Sequence, residues 1–283
     1  MLPFISIIIP TYNRYDFLLE AVQSVKNQSY KNFELIIVDD GSTDKTSELS
    51  ERKDLVYLKQ ENKGPAAARN AGVKLAAGEW IAFLDSDDLW HKEKLQKQLD
   101  FINNNTDCKI VYTDELWLRK GVRVNKKNIH KKYSGWIYPY CLKLCIVGAS
   151  TILITKNLWN EFGGMDENLP VAEDYDLWLR LSAKYKFYYL DEQLITKNGG
   201  RDDQLSISVR GIDKYRIIAL QKMMNEKDLK DEWRDMTCDE LIRKCKIYIT
   251  GCKKYGRNDE IRFCEDIIEE YSLPDKKDLK NDF

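Results

Sequence analysis

The stretch ISIIIPTYNR, residues 5–14, decides the fold. Residues 5–9 are apolar except Ser6 and rich in β-branched side chains, the pattern of a strand covered on both faces. Outward from it, residues 16–28 carry Leu18, Ala21, Val22 and Val25 on one helical stripe. Residues 33–38 read as a second strand, and Gly41, Ser42, Thr43 and Asp44 then supply a turn and helix-cap groups. A third strand is expected at 55–58. Pro65 and Gly78 bracket an alanine-rich helix, with proline inside the start and glycine past the end. Residues 80–84 read as a fourth strand, followed by Asp85-Ser86-Asp87-Asp88 and another helix. Strands alternating with helices over short links predict a parallel sheet flanked by helices.

Past residue 100 the pattern loosens. Strands are expected at 110–113, 152–154 and 187–190, and a helix at 175–185. The basic, polar residues 119–133 read as a loop or hairpin. Three helical stretches follow, near 212–225, 238–255 and 259–271, and the last ten residues are charged and expected to fray. The expected organisation is one α/β domain over 1–210 and a helical extension over 211–283. The apolar stripes of the extension, including Ile217, Leu220, Cys245, Tyr248, Cys252 and Ile267, call for a covering surface. That surface is either the first domain or a second copy, and a homodimer contact is favoured.

The 283 residues carry a net charge of -1, which argues against a general nucleic-acid binder and leaves a local basic patch open. No apolar run is long enough to span a bilayer. The start, MLPFISIIIP, lacks the charged region and cleavage site of a signal peptide. A cytoplasmic protein is expected, with peripheral work at the inner face of the membrane left open. The seven cysteines include no C-x-x-C pair. Cys238, Cys245 and Cys252, one heptad apart, read as small apolar residues on a buried stripe, and zinc is not expected.

Ligands of open α/β sheets sit beyond the carboxyl ends of the strands. There the sequence sets Pro10-Thr11-Tyr12-Asn13-Arg14, Asp39-Asp40-Gly41-Ser42 and Asp85-Ser86-Asp87-Asp88. Asp85 and Asp87, two apart, project to one face if strand geometry persists, and their repulsion invites a cation. Hard oxygens suit magnesium or manganese. Asp88 is expected to cap the following helix, with Asp87 a competitor for that role. Arg69, early in the alanine-rich helix, suits a pyrophosphate or a solvated helix face equally. Glu173-Asp174 opens a helix as caps or as site acids, with Trp178 one turn along as a face for sugar.

Taken together, ISIIIPTYNR at 5–14, IIVDDGSTD at 36–44, NKGPAAARNAG at 62–72, GEWIAFLDSDD at 78–88 and VAEDYDLWLRL at 171–181 resemble glycosyltransferase family 2. They occur in the family's order and cover residues 3–190. The resemblance implies the GT-A fold, a Rossmann-like mixed and mainly parallel sheet flanked by helices. It also implies a metal-dependent, inverting, hexosyltransferase-like transfer from a nucleotide-sugar, usually a UDP-sugar, to a glycan, lipid-linked or protein acceptor. By the same resemblance Pro10, Thr11 and Asn13 line the nucleotide pocket, and Asp40 with Asp39 meets the base. Arg69 neighbours the diphosphate. Asp85, Ser86 and Asp87 form the Asp-x-Asp motif that takes Mn2+ or Mg2+, with Asp87 and Asp85 as metal ligands and Asp87 ranked first. Asp174 is the catalytic base, and Glu173 and Trp178 lie beside the acceptor.

The segment Gly199-Gly200-Arg201-Asp202-Asp203-Gln204-Leu205-Ser206 departs from a family variant that has histidine where this chain has Arg201. An arginine is no metal ligand, but it can meet phosphate. Three rivals stand beside the enzyme reading. One is a catalytically idle member that binds nucleotide or scaffolds an assembly. The second is a dinucleotide-dependent oxidoreductase, ranked far lower because Pro-Thr-Tyr-Asn-Arg replaces G-x-G-x-x-G after the first strand. The third is an interaction protein defined by its C-terminal helices, with the first domain vestigial.

Overall fold

Strand β1 (Ile5–Thr11) is buried along its whole length. It runs parallel to β2 (Phe33–Asp39) on one side and to β4 (Trp80–Phe83) on the other, and β3 (Val56–Lys59) extends the sheet parallel to β2. Alternate residues of β1 meet different helices. Ile5, Ile7 and Ile9 share a core with Leu18, Ala21, Val22 and Val25 of α1 (Tyr15–Lys26). Ile8 meets α2 (Gly64–Leu75), where a Cβ on Gly72 would lie 2.5 Å from Ile8 Cγ2. The missing side chain is what lets this helix lie so close to the strand. These layers explain why residues 5–9 show no alternation. The structure is a computed structural model, and it describes residues 3–201 and 211–272.

Beyond β4 the sheet is mixed. β8 (Ile152–Thr155) runs antiparallel to β4, and β6 (Ile110–Arg119) antiparallel to β8. β9 (Tyr188–Gly199) pairs parallel with β6, and β5 (Asp88–Trp90) antiparallel with β9. The sheet order is β3-β2-β1-β4-β8-β6-β9-β5, with β7 (Val122–Val124) paired to β6. The strands expected at 110–113 and 187–190 are the starts of the longer β6 and β9, whose ladder is interrupted by register shifts at Asp114. Residues 119–133 contain the β6–β7 hairpin, turned at Lys120 and Gly121, both at positive φ.

The expected helix directly after Asp88 is corrected. Asp88 opens β5, and α3 (Lys94–Asn103) starts later with Glu93 at its cap position. Asp88 is buried and its carboxylate accepts the Ser150 hydroxyl at 2.7 Å. The remaining helices of this part are α4 (Tyr138–Cys141), α5 (Lys156–Glu161) and α6 (Glu173–Lys184).

The chain divides into two compact units, Met1–Arg210 and Gly211–Phe283. The second unit holds α7 (Ile212–Met224), α8 (Asp231–Lys254) and α9 (Asn258–Ser272), and α8 packs against both of the others. Helix α8 starts well before the expected residue 238 and buries Trp233 and Thr237 in the added turns. Ile217, Leu220, Cys245, Tyr248, Cys252 and Ile267 are all buried within a single chain, so a second copy is not needed to cover them. The cysteines are all free thiols, and Cys245, Cys252 and Cys264 are buried, in keeping with an apolar stripe. Asp202, Asp203, Gln204, Leu205 and Ser206, and the charged tail, lie outside the described residues.

Candidate active site

The carboxyl ends of β1 and β2 are laced together. Asn13 sits in the left-handed region at φ 50, its N–H donates to Ser42 Oγ at 2.9 Å, and its Oδ1 accepts the Thr43 N–H at 2.8 Å. Pro10 and Thr11 are buried, and the Thr11 hydroxyl has no hydrogen-bond partner among the described residues. Asp44 accepts the N–H groups of Thr46 and Tyr15, so it caps as expected.

Asp39 and Asp40, expected to meet a base, are turned into the protein. Asp39 is fully buried and accepts the Ser42 N–H at 2.7 Å and the Tyr57 hydroxyl at 2.5 Å. Asp40, 4 % exposed, accepts Gln60 Nε2 and the N–H groups of Lys63 and Gly64 at 2.7, 3.0 and 2.8 Å. Asp39 thereby ties the turn after β2 to β3, and Asp40 fixes the loop leading into α2.

The Asp-Ser-Asp segment after β4 is held by arginines. Arg69, 6 % exposed, donates from one terminal nitrogen to Asp85 at 2.6 Å and from the other to Glu173 at 2.8 Å. Its Nε has no hydrogen-bond partner in the described structure. Arg69 is thus a buried bridge between two acidic segments. Asp87 accepts Arg14 at 2.7 Å and, through the same Oδ2, Arg201. The Arg201 guanidinium also lies 4.1 Å from the Phe17 ring centroid. Ser86 is buried between the two acids. Burial pushes the Asp85 carboxyl up, but Arg69, Lys197 and Arg14 outweigh it and hold the carboxyl below its usual range. Burial, with the charges of Asp85 and Asp87 against that of Lys197, pushes Asp88 well up.

Lys197 on β9 is opposite Asp88 in the β5–β9 ladder. Its ammonium donates no hydrogen bond to another described residue. Burial lowers its pKa, but Glu115, Asp88, Asp85 and Asp174 outweigh that and keep it charged. Lys197 thus sits within electrostatic reach of four carboxylates from β6, β5, the Asp-Ser-Asp segment and α6. Glu115 pairs at 3.5 Å with buried Lys132. Burial pushes the Glu115 carboxyl up, but Lys132 and Lys197 overcome it and hold the carboxyl at about 2.

Helix α6 begins at a strained point. Its cap residue, Ala172, has φ 62, the left-handed region that a side chain disfavours. Glu173 follows, buried against Arg69, and burial together with the charge of Asp174 pushes it up to about 7 against the pull of Arg69. Asp174 is the one unburied residue across Val171–Leu179. Its Oδ1 accepts the Tyr175 N–H at 2.7 Å, and its Oδ2 lies 3.4 Å from the Cys145 sulfur. Asp176 is buried and paired with Arg180, a structural role. Trp178, expected beside an acceptor, is 1 % exposed and packs edge-on to Phe187. Enclosed in this way, the ring is part of the core.

A divalent cation fits the donor set in part. Asp85 Oδ2 and Asp87 Oδ1 accept no hydrogen bond among the described residues, and two carboxylate oxygens suit a hard cation that keeps waters and takes phosphate oxygens. Among the described residues no group of three or more candidate ligands forms a closed metal site. Arg14 and Arg201 supply the compensating charge at Asp87.

Three participants were hidden in the sequence. Lys197 and Glu115 lie on strands whose length a broken ladder conceals. Cys145 reads as one of several scattered cysteines. Arg14 could have been found, since it ends the opening motif beside Asn13.

Residues 6–147 match the sequence model described as Glycosyl transferase family 2. The chain is 39 % identical over 195 residues to an uncharacterized glycosyltransferase of Rickettsia felis, covering 67 % of this chain and 32 % of that one. It is 36 % identical over 200 residues to the putative teichuronic acid biosynthesis glycosyltransferase TuaG of Bacillus subtilis, covering 68 % of this chain and 77 % of TuaG. The crystal structure of S. aureus TarS matches with a TM-score of 0.65 at 23 % identity, over 84 % of this chain and 43 % of that one. The mannosyltransferase PcManGT of Pyrobaculum calidifontis, solved with GDP-Man and Mn2+, matches with a TM-score of 0.59 at 16 % identity, over 98 % and 77 %. At such identities the structural likeness carries the fold, and that fold is GT-A. The chain belongs to glycosyl transferase family 2. It spans about a third of the length of the Rickettsia felis relative.

Proposed function

We propose that this chain is a metal-dependent, inverting glycosyltransferase, with a nucleotide-sugar, most simply a UDP-sugar, as donor and a glycan as acceptor. The observation that carries the reading is Asp174, left open on an otherwise buried helix start and tied through Glu173 and Arg69 to Asp85. Family membership and two structural neighbours support it: S. aureus TarS was solved with UDP and with UDP-GlcNAc, and PcManGT with GDP-Man and Mn2+.

In this reading catalysis belongs to residues 1–210, and 211–283 is a helical extension. The backbone of Thr11, Asn13 and Ser42, shaped by Asp39 and Asp40, forms the nucleotide pocket. Asp85 and Asp87 would hold Mn2+ or Mg2+, which supplies positive charge to the departing diphosphate when bound. Arg14 and Arg201 reach the same region and stabilise that charge further. Asp174 removes the proton from the acceptor hydroxyl as it attacks. Lys197 helps hold Asp85 and Glu115 ionised.

Thermal shift tests the reading. A ligand that binds only the folded state raises apparent stability. UDP with manganese should raise the unfolding temperature and NAD should not; equal or absent shifts with both would contradict it. Among the described residues no helix is long and apolar enough to cross a membrane.

A further inference from the structure

The chain is near neutral overall, yet residues 119–132 contain seven basic residues and no acidic one. Lys126 and Lys132 are consumed by ion pairs with Asp114 and Glu115. Arg119, Lys120, Arg123, Lys127 and Lys131 are exposed around the β6–β7 hairpin and the loop after it. Like charges held this close repel one another, and the fold gains nothing from gathering them. They mark a surface for a polyanion.

That surface leads into an aromatic ledge. Tyr133 and Tyr140 stack with ring centroids 3.7 Å apart and planes 10° from parallel. Tyr140 is 47 % exposed and Trp136 is 41 % exposed. Lys131 lies 5.5 Å from the Tyr133 ring centroid. Flat, part-exposed rings offer apolar faces bordered by polar groups, the surface that a pyranose face matches.

The ledge in turn runs to Asp174. Leu142 accepts the Tyr175 hydroxyl at 2.5 Å, and Cys145 lies 3.4 Å from the Asp174 carboxylate. At the other end, Lys132 pairs with Glu115 at 3.5 Å, and a Cβ on Gly148 would lie 3.0 Å from the same carboxylate. One continuous segment therefore joins the basic hairpin, the exposed rings and the candidate base.

We propose that residues 119–145 form the acceptor track and that the acceptor is an anionic glycan, a polymer bearing carboxylate or phosphodiester groups, which crosses the basic hairpin and the Trp136 ledge with its growing end at Asp174. The assignment rests on the glycosyltransferase reading for its direction, since the hydroxyl that attacks must meet Asp174 while the rest of the polymer lies on the adjoining surface. The charge fits a polyanion, and the rings fit sugar faces. Anionic lipid and RNA share the charge alone, and neither needs a path to Asp174.

The test is direct binding to the full chain without donor, using labelled oligogalacturonate for carboxylate, labelled poly(glycerol phosphate) for phosphodiester, and neutral dextran. At least one of the two anionic polymers should bind and dextran should not, with affinity falling as salt screens the contact. The combined variant Arg123→Glu, Lys127→Glu, Lys131→Glu should weaken binding by about tenfold or more, since each reversal turns an attraction into a repulsion. Trp136→Ala should weaken it severalfold. Both variants should keep the wild-type thermal shift with UDP and manganese, which shows that they fold. Unchanged binding by the triple variant, or no binding of either polymer, overturns the proposal. So does tighter binding of phosphatidylglycerol vesicles or of single-stranded RNA. If the polymers bind as expected but UDP gives no shift even in the wild type, the glycan surface stands and the transferase reading fails.

Discussion

Arg69 and Glu173, 104 positions apart in sequence, form a buried ion pair at 2.8 Å, while the same guanidinium holds Asp85 at 2.6 Å. One side chain on α2 thus fixes the spacing between the acids after β4 and the start of α6, and so the distance across which a donor and an acceptor would face each other.

Removing that bridge should be costly. Arg69→Ala leaves two carboxylates, one of them deeply buried, without their shared cation, a loss on the order of 3–5 kcal/mol. Arg69→Lys keeps the charge but lacks the fork that reaches both acids. Urea unfolding followed by tryptophan fluorescence should rank wild type above Lys above Ala. A loss below about 1 kcal/mol for Arg69→Ala would reduce the bridge to an ordinary surface pair.

Glu115 should make the first unit acid-sensitive. Its carboxyl is held at about 2, below the ordinary 4.5, chiefly by Lys132 and Lys197 against the cost of burial. A depressed carboxylate contributes stability above its unfolded value, and the contribution is lost as pH falls from about 4.5 toward 2. The shift corresponds to about 3 kcal/mol. Glu115→Gln should therefore lose stability at neutral pH and show a flatter decline over that acid window. Parallel acid profiles for the variant and the wild type would contradict the pairing.

The arginines on Asp87 should compete with a cation. Arg201→Ala removes one guanidinium from Asp87 Oδ2, the oxygen that Arg14 also holds. Calorimetry should show tighter manganese binding to the nucleotide-free variant than to the wild type. Asp87→Ala should abolish it, with little change in fold. Weaker manganese binding by Arg201→Ala would mean that Arg201 supports the metal site instead of shielding it.

The sequence was most legible where local pattern and tertiary role coincide. Residues 5–9 had to be a doubly covered strand, and Asp44 had to cap, because both follow from their neighbours in the chain. The acids of the Asp-Ser-Asp segment and of α6 were legible as types, but their partners were not. Arg69 read equally as a phosphate ligand or a solvated helix residue, and only the fold brings Asp85 and Glu173 to its two ends. Asp88 was misassigned because a cap and a strand start look alike before an apolar pair, Leu89 and Trp90, and what decides is β9, about a hundred residues later. Trp178 was open for a similar reason: an aromatic one turn into a helix can face a ligand or the core, and its packing on Phe187 is set by the fold alone.

The central claim is tested most directly by Asp174→Asn, with transfer rate and UDP affinity measured on one preparation. The change keeps the size of the side chain and most of its hydrogen bonding, but a carboxamide cannot take the acceptor proton. The account predicts wild-type UDP affinity with transfer reduced on the order of a hundredfold to ten-thousandfold. Near-normal transfer by the Asn variant would contradict it and remove Asp174 from the chemistry.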